Sequence, residues 1–350
     1  MSEPGGFAGG APPPAGRVLV TGATGHVGAQ LVRALLDDGR RVRALVRRDR
    51  RAIDGLPVET VTGDVRDPTS ILRALDGVEV VYHLAALISL TGEQGGRVHA
   101  VNVAGTRAVV EGCLARGVSR LVHFSSIHAL SQIPRGEALD ERRPAADARR
   151  APAYDRSKAA GEREVAAGVA RGLSATIVLP TAVLGPFDFK PSRMGRVLLD
   201  LARGRLPALV DGAFDWVDGR DVARAAIAAE RVGRPGERYL LSGTFLPLAD
   251  LAALVARFSG APAPRVVVPQ WLARPIAPVA AAWARLTGSE PRFTPDSLLA
   301  LRTGHPRIDH GKAAAELGYR PRPLRETVRD ALSWFAAEGR LGPAAAGAAR

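Results

Sequence analysis

Cysteine is almost absent from this chain: Cys113 stands alone among 350 residues. An internal disulfide framework is therefore excluded, and a reducing compartment is expected. Lysine is nearly as scarce, with Lys158, Lys190 and Lys312 the only three among 48 basic residues. Where arginine is used almost everywhere, a retained lysine suggests a place where a planar guanidinium will not serve. Aromatic residues are 5% of the chain, and they do not interleave with basic ones as stacking on single-stranded nucleic acid requires. The net charge of +13 is scattered among acids, so it bears on solubility and argues for no nucleic-acid partner. The most apolar stretch, 271–286, is broken by Arg274, Pro275, Pro278 and Arg285, which excludes membrane insertion. The opening residues lack the basic start and apolar run of a secretory signal, so a soluble, cytoplasmic protein is expected. No histidine, cysteine or carboxylate cluster has metal-ligand spacing, and no metal is expected.

Short apolar runs alternating with amphipathic stretches fill the first half. Strands are expected at 17–21, 41–46, 58–62, 80–84, 120–125 and 175–179, and helices at 27–38, 69–74, 103–116 and 157–170. Continuous apolar strands separated by helices indicate a parallel sheet covered on both faces. The expected fold class is α/β: a doubly wound, Rossmann-type sheet with its ligand crevice at the carboxyl ends of the strands. After Gly185, prolines at 186, 191 and 207 change the rhythm. Residues 16–185, rejoined by 219–245 with a strand at 238–242, are assigned to the sheet domain. Residues 186–218 and 246–337 are assigned to a smaller, discontinuous, mostly helical substrate-capping domain, and 1–15 and 338–350 to disordered tails.

The stretch "VLVTGATGHVGAQL" places G-x-x-G-x-x-G between a strand and a helix. Gly22 permits a tight turn, Gly25 lets backbone amides approach a pyrophosphate, and Gly28 lets helix and strand pack closely. A dinucleotide is the expected ligand. Its identity turns on the end of the second strand, where an acid would bind a free ribose 2′-hydroxyl and arginine favours a 2′-phosphate. Arg47 stands there, so NADP(H) is favoured, with NAD(H) left open. Asp64, in "GDVRD", is placed to accept the adenine amino group.

In "YDRSK", Tyr154 and Lys158 project from one helix face. A neighbouring ammonium favours phenolate, which is expected to bring the Tyr154 pKa down from about 10 toward neutrality. Together with "TGATGHVG", "HLAA", "VNVAGT", "FSS" and "LPTAVLGP", this set resembles the extended short-chain dehydrogenase/reductases, the NAD(P)-dependent epimerase and dehydratase-like enzymes. The resemblance runs from about Arg17 to Phe335. It implies Tyr154 as acid/base, Lys158 as its electrostatic partner and ribose ligand, Ser126 as the hydroxyl holding the reacting oxygen, and Asn102 at a helix irregularity linked to proton relay. It also implies a cofactor surface made of Gly22, Thr24, Gly25, His26, Val27, Gly28, Arg47, Asp64, Val65, Leu84, Ala85, Ala86, Pro180 and Val183, besides Tyr154 and Lys158. The sequence departs from the family at His26, where an aromatic residue is usual, and at Phe124, where a small hydroxyl residue is common.

From residue 186 the chain is most similar to the dihydroflavonol 4-reductase-like group and the hopanoid-associated sugar epimerases within it. The resemblance implies hydride transfer to a ketone or aldehyde of a small hydrophobic or secondary-metabolite substrate. Sugar epimerisation or dehydration with bound NAD(P) is the alternative, and a non-catalytic protein sensing the cofactor is a third. Substrate walls are sought at His128, Phe187, Phe189, Lys190, Met194 and Trp216. His83 and His123 are read as core. The small-molecule substrate is the expected partner, and the two long helices at 103–116 and 157–170 match those through which relatives form homodimers.

Overall fold

The computed structural model describes residues 16–275 and 295–342. Residues 1–15 and 343–350 of the expected tails lie outside it, as does the apolar stretch beyond Pro275. Residues 338–342 are described, and there Leu341 is buried in the cap core and Arg340 donates to the Phe189 carbonyl, 2.6 Å away.

Seven parallel strands form the main sheet. They are β1 (Arg17–Thr21), β2 (Arg41–Val46), β3 (Glu59–Thr62), β4 (Val78–His83), β5 (Arg120–Phe124), β6 (Ala175–Pro180) and β10 (Arg238–Leu241), in spatial order β3-β2-β1-β4-β5-β6-β10. The order reverses between β1 and β4, which opens the crevice of a doubly wound fold at their carboxyl ends. Val18, Val20, Tyr82 and Val122 pack on one face with α1 (His26–Asp37) and α7 (Gly219–Val232). Leu19, Val81 and Leu121 pack on the other with α2 (Pro68–Ala74), α4 (Gly105–Arg116) and α5 (Ala153–Ala170). Because both faces are covered, these strands read as mostly apolar runs, with Arg43, Glu79 and His123 among the exceptions. At the β10 edge, the Glu141 carboxylate accepts from the Leu240 amide at 2.8 Å, which occupies a donor that would otherwise invite another strand.

The cap is mostly helical, as expected, and also carries short strands. The short β7 (Ala182–Leu184), β9 (Ala213–Asp218) and β11 (Thr244–Pro247) form a three-stranded sheet, and β8 (Ala208–Val210) pairs with β12 (Val266–Val268). Helices α6 (Arg193–Ala202), α8 (Leu248–Ser259) and α11 (Leu324–Ala337) pack on that sheet around Trp216 and Phe335. Its strands are three to six residues long and mix polar with apolar positions, so their period is hard to see. The expected boundaries also move. β7 lies before 186 yet belongs to the small sheet, whereas α10 (Gly311–Leu317) and Tyr319 pack into the main core beside α7.

Two helices differ from expectation in ways that shape the site. The expected 103–116 helix is preceded by α3 (Arg97–His99) and a π-helical turn over Ala100–Ala104. The expected 157–170 helix begins at Ala153, after Pro152, which brings Tyr154 into its first turn.

Candidate active site

Gly22 has φ +72, and a Cβ there would lie 2.7 Å from the Ala85 amide nitrogen. The chain's own β4 loop therefore presses on this turn, and Leu84 and Ala85 are tied to it by bonds from their amides to Thr21. At Gly28 a Cβ would sit 2.9 Å from Ala23 Cα, so helix and turn touch there. Gly25 differs: it is exposed, and its Cβ would meet only the Gly22 carbonyl oxygen, at 3.3 Å. Gly25 caps α1 without any side-chain bond, leaving the first amides directed at open space, where a pyrophosphate fits. Thr24 and Val27 flank that opening, and His26 Nε2 lies 3.2 Å from the carbonyls of Gly185 and Pro186. That contact joins the glycine turn to the segment after β7. Pro180 is buried at the end of β6, and Val183 packs against the main core nearby.

At the other end of the crevice Arg47 follows β2 with 70% of its side chain exposed, 4.0 Å from Asp64. Asp64 itself is held by Arg66 through bonds of 3.0 and 2.8 Å, and this pairing lowers its pKa. Its carboxylate thus already has a partner, while Arg47 has only a loose one. Val65 is buried against α4, below Gly105.

The reactive side chains come from α5 and from the end of β5. Tyr154, Lys158 and Glu162 follow one another four residues apart along one helix face. Three consecutive residues at the strand end answer them. Lys158 Nζ donates to the Phe124 carbonyl at 2.6 Å, Ser125 donates to the Glu162 carboxylate, and Ser126, whose Oγ accepts from the His128 amide at 3.3 Å, lies beside the Tyr154 phenol. Glu162 was not singled out from the sequence, although its place eight residues after Tyr154 was a readable signal.

Burial pushes the Tyr154 phenol up to about 12, against the opposing Ser126 hydrogen bond and with help from the Asp155 charge. The lowering expected from Lys158 is therefore not what the chain alone produces. The ammonium turns to the Phe124 carbonyl, and burial brings its own pKa down to about 8, with Glu162 opposing that fall. As it stands, the phenol is a proton donor.

Asn102 lies in the π-helical turn. Its side chain accepts from the Leu87 amide at 2.7 Å and donates to the Leu87 carbonyl at 3.0 Å and to Ser157 Oγ at 2.8 Å. Ser157 in turn donates to the Tyr154 carbonyl at 2.7 Å. One amide thereby fixes both the loop that follows Leu84–Ala86 and the first turn of α5. His83 and His123 are core residues, as expected. Burial first, then Lys158, brings His83 down to about 3, and neither nitrogen of His123 has a hydrogen-bond partner.

Of the candidate substrate residues, His128 is beside the reactive groups. Its Nδ1 lies 3.5 Å from Asp155, and its ring meets the Tyr154 ring edge-on at 6.1 Å. Burial lowers its pKa, but the hydrogen bond and charge of Asp155 outweigh this and raise it. The others are placed differently. Trp216 is 2% exposed and donates to the Leu246 carbonyl, so it is cap core and not a wall. Phe187 and Phe189 pack against Trp334 and the Arg33 guanidinium, Met194 packs against the cap core, and Lys190 lies near Asp49 beyond β2.

Comparison with known proteins decides the family. Residues 18–242 match the profile of the NAD dependent epimerase/dehydratase family. The chain belongs to that family. It is 41% identical to sterol demethylase protein B of Methylococcus capsulatus, over 92% of this chain and 99% of the relative. It is 32% identical to a putative dihydroflavonol 4-reductase of Synechocystis, over 92% of this chain and 95% of that one. The crystal structure of gox2253 superposes with a TM-score of 0.81 at 37% identity, covering 93% of this chain and 99% of that one. This member of the family is accordingly an NAD-dependent enzyme with a Rossmann-type fold, and no helix among its described residues is long and apolar enough to cross a membrane.

Proposed function

We propose that this enzyme reduces a ketone or aldehyde on a large apolar molecule of sterol or terpenoid type, with NADP(H) preferred and Tyr154 as proton donor. The observation that carries the reading is geometric: Tyr154 and Lys158 share one face of α5, with Lys158 bonded to the Phe124 carbonyl and Ser126 beside the phenol at the carboxyl end of β5. Sterol chemistry in the name of a relative that aligns along nearly its whole length supports the substrate class. An epimerase would use the same phenol and hydroxyl, so these residues do not separate the two reactions, and the dihydroflavonol 4-reductase name of a relative favours reduction.

The residues suit the cofactor. The open N-terminus of α1 at Gly25 would take the pyrophosphate, Arg47 a 2′-phosphate, the Leu84–Ala86 loop the ring systems, and Lys158 the ribose hydroxyls. When bound, the dihydronicotinamide supplies the hydride. The chain does the rest. Ser126 donates a hydrogen bond to the substrate oxygen, and Tyr154 Oη passes its proton to that oxygen as negative charge develops there. Asn102 and Ser157 fix the helix turn that aims the phenol.

The test is Tyr154→Phe, assayed by loss of NADPH absorbance with a panel of polycyclic ketones and by NADPH fluorescence titration. Turnover should fall by about a hundredfold or more while the NADPH dissociation constant stays within about twofold, because the phenol touches the reacting atoms and is not the main cofactor anchor. Turnover near that of the wild type removes Tyr154 from this role.

A further inference from the structure

Glu162 stands one turn beyond Lys158 on the same face of α5 and is 8% exposed. A buried carboxylate is costly unless it is paired. Two partners hold this one: the Ser125 hydroxyl donates to it, and the Arg238 guanidinium, on β10, lies 3.5 Å from its Oε2. The residue before Ser125 gives its carbonyl to Lys158 Nζ at 2.6 Å. Neighbouring residues of one strand end thus pin successive turns of the helix, which fixes a carboxylate and an ammonium on adjacent turns in the interior. These bonds do not explain why an acid is buried here at all, since a well-packed apolar side chain is often no less stable than a buried ion pair.

The groups around Lys158 show what the charge does. His83 at the end of β4 and His123 on β5 are buried, and burial first, then the Lys158 charge, holds both neutral. Tyr154, one turn before Lys158, keeps its proton. Asp155 lies 3.5 Å from His128 and faces Asp296, in the first turn of α9 (Pro295–Thr303). Burial works against the Lys158 ammonium, and Glu162 is the acid whose charge supports it. Burial also raises the pKa of Glu162 itself, and Ser125, Arg238 and Lys158 all oppose that rise.

We propose that Glu162 is a positioning residue of this enzyme: anchored by Ser125 and Arg238, its carboxylate keeps the proton on Lys158, so that an ammonium and not an amine stands beside Tyr154 at neutral pH. Its use in the reaction rests on the assignment of Lys158 to the ribose hydroxyls. An opposite charge one helical turn away moves a pKa by about one unit or more. Without it the ammonium, already down at about 8, loses its proton near neutrality. The amine that remains has one donor fewer and no charge to offer the cofactor or the phenol.

The scarcity of lysine makes this measurable. Full-length protein carrying lysine isotopically labelled at Cε gives three resonances, from Lys158, Lys190 and Lys312, and Lys158→Met identifies one of them. The Lys158 resonance is titrated in the free protein. Glu162→Gln keeps the shape and removes the charge, and should lower the Lys158 midpoint by about one pH unit or more, a tenfold loss of proton affinity. Glu162→Asp keeps the charge but draws back from Ser125, and should leave the midpoint within about half a unit. A merely structural role predicts the opposite ranking, with glutamine harmless and aspartate disruptive. If the glutamine variant lacks a cooperative thermal transition, Glu162→Ala carries the same expectation. In a fluorescence titration, Glu162→Gln should weaken NADPH about fivefold at pH 8 and match wild type within about twofold at pH 6, where its amine is protonated again. A Lys158 midpoint that the neutral variants leave in place overturns the proposal, as does one that aspartate lowers as far as they do. A midpoint that moves with no change in NADPH affinity overturns the positioning role. No arm uses substrate or turnover, so failure here and failure of the ketone assay are distinguishable.

Discussion

Replacing Lys158 with methionine isolates the electrostatic cost of building this site. Burial brings Lys158 from its ordinary 10.5 to about 8, and each unit of depression is about 1.4 kcal/mol of preference for the neutral amine in the folded chain. The full shift is thus about 3 kcal/mol. Below about pH 8 folded and unfolded chains both carry the proton, and the cost is fully present. Between about 8 and 10.5 the unfolded chain keeps a proton that the folded chain has released, so stability rises with pH through that window. Lys158→Met lacks this rise. The unfolding free energy of the variant minus that of wild type should therefore fall by about 2 kcal/mol from about pH 7.5 to about pH 10, roughly 4 °C in midpoint for a chain of this size. Loss of the ammonium also strands the buried Phe124 carbonyl, but a carbonyl does not titrate, so it moves the offset between the curves and not their slopes. The assay is thermal melting of both proteins without cofactor in matched buffers across the window. Parallel curves refute a depressed Lys158.

Arg47→Asp should weaken NADPH binding by about tenfold or more and leave NADH within about threefold, read by fluorescence titration; equal losses would remove Arg47 from the 2′-phosphate. Nuclear magnetic resonance of His128 should give a pKa above the ordinary 6.5, and Asp155→Asn should bring it below, because burial then acts unopposed. The stabilisation from this pair is present below about pH 6.5 and is lost as pH rises through the folded value; a His128 resonance indifferent to Asp155 contradicts the pairing. Gly28→Ala should prevent folding or cost several kcal/mol, since its Cβ is driven into Ala23 and the Gly22 carbonyl. Gly25→Ala should fold with a melting midpoint near wild type yet lose most dinucleotide affinity, and normal affinity in that variant would place the pyrophosphate elsewhere.

The main sheet was legible because each of its inner strands is buried on both sides. A run such as Ala175–Pro180, wholly buried with Thr176 its one polar member, leaves little room for polar residues, and six expected strands match the observed ones within about two residues. The cap was less legible. β9, "AFDWVD", carries Asp215 and Asp218 inward, where Thr181 and the Gly243 amide bind one and Arg220 binds the other. The partners of Asp215 are distant in sequence, and Asp218 also meets Arg322 at 3.5 Å, so no local pattern announces a strand. The same reason hid the true place of Phe187 and Phe189, whose neighbours Arg33 and Trp334 come from opposite ends of the chain. Tyr154 and Lys158 were found by their spacing together with the family motifs around them. The state of the phenol was not, because it depends on burial and on the direction in which Lys158 turns, and spacing carries neither.

The groups assigned to the cofactor share one property: each lacks full partnership in the chain by itself. The first amides of α1 have no side-chain cap, Arg47 reaches its nearest carboxylate only at 4.0 Å, and the buried Lys158 ammonium, with three protons to donate, is bonded to one carbonyl. Buried polar atoms without a partner also occur elsewhere, on Arg40, Arg43, Arg120 and His123, but the three groups named here line the crevice at the carboxyl ends of the strands. A ligand carrying phosphates at one end and ribose hydroxyls at the other supplies the missing acceptors. Binding it should therefore stabilise the fold by mass action, RT ln(1 + c/Kd) at a free ligand concentration c, with Lys158 gaining acceptors beyond the Phe124 carbonyl.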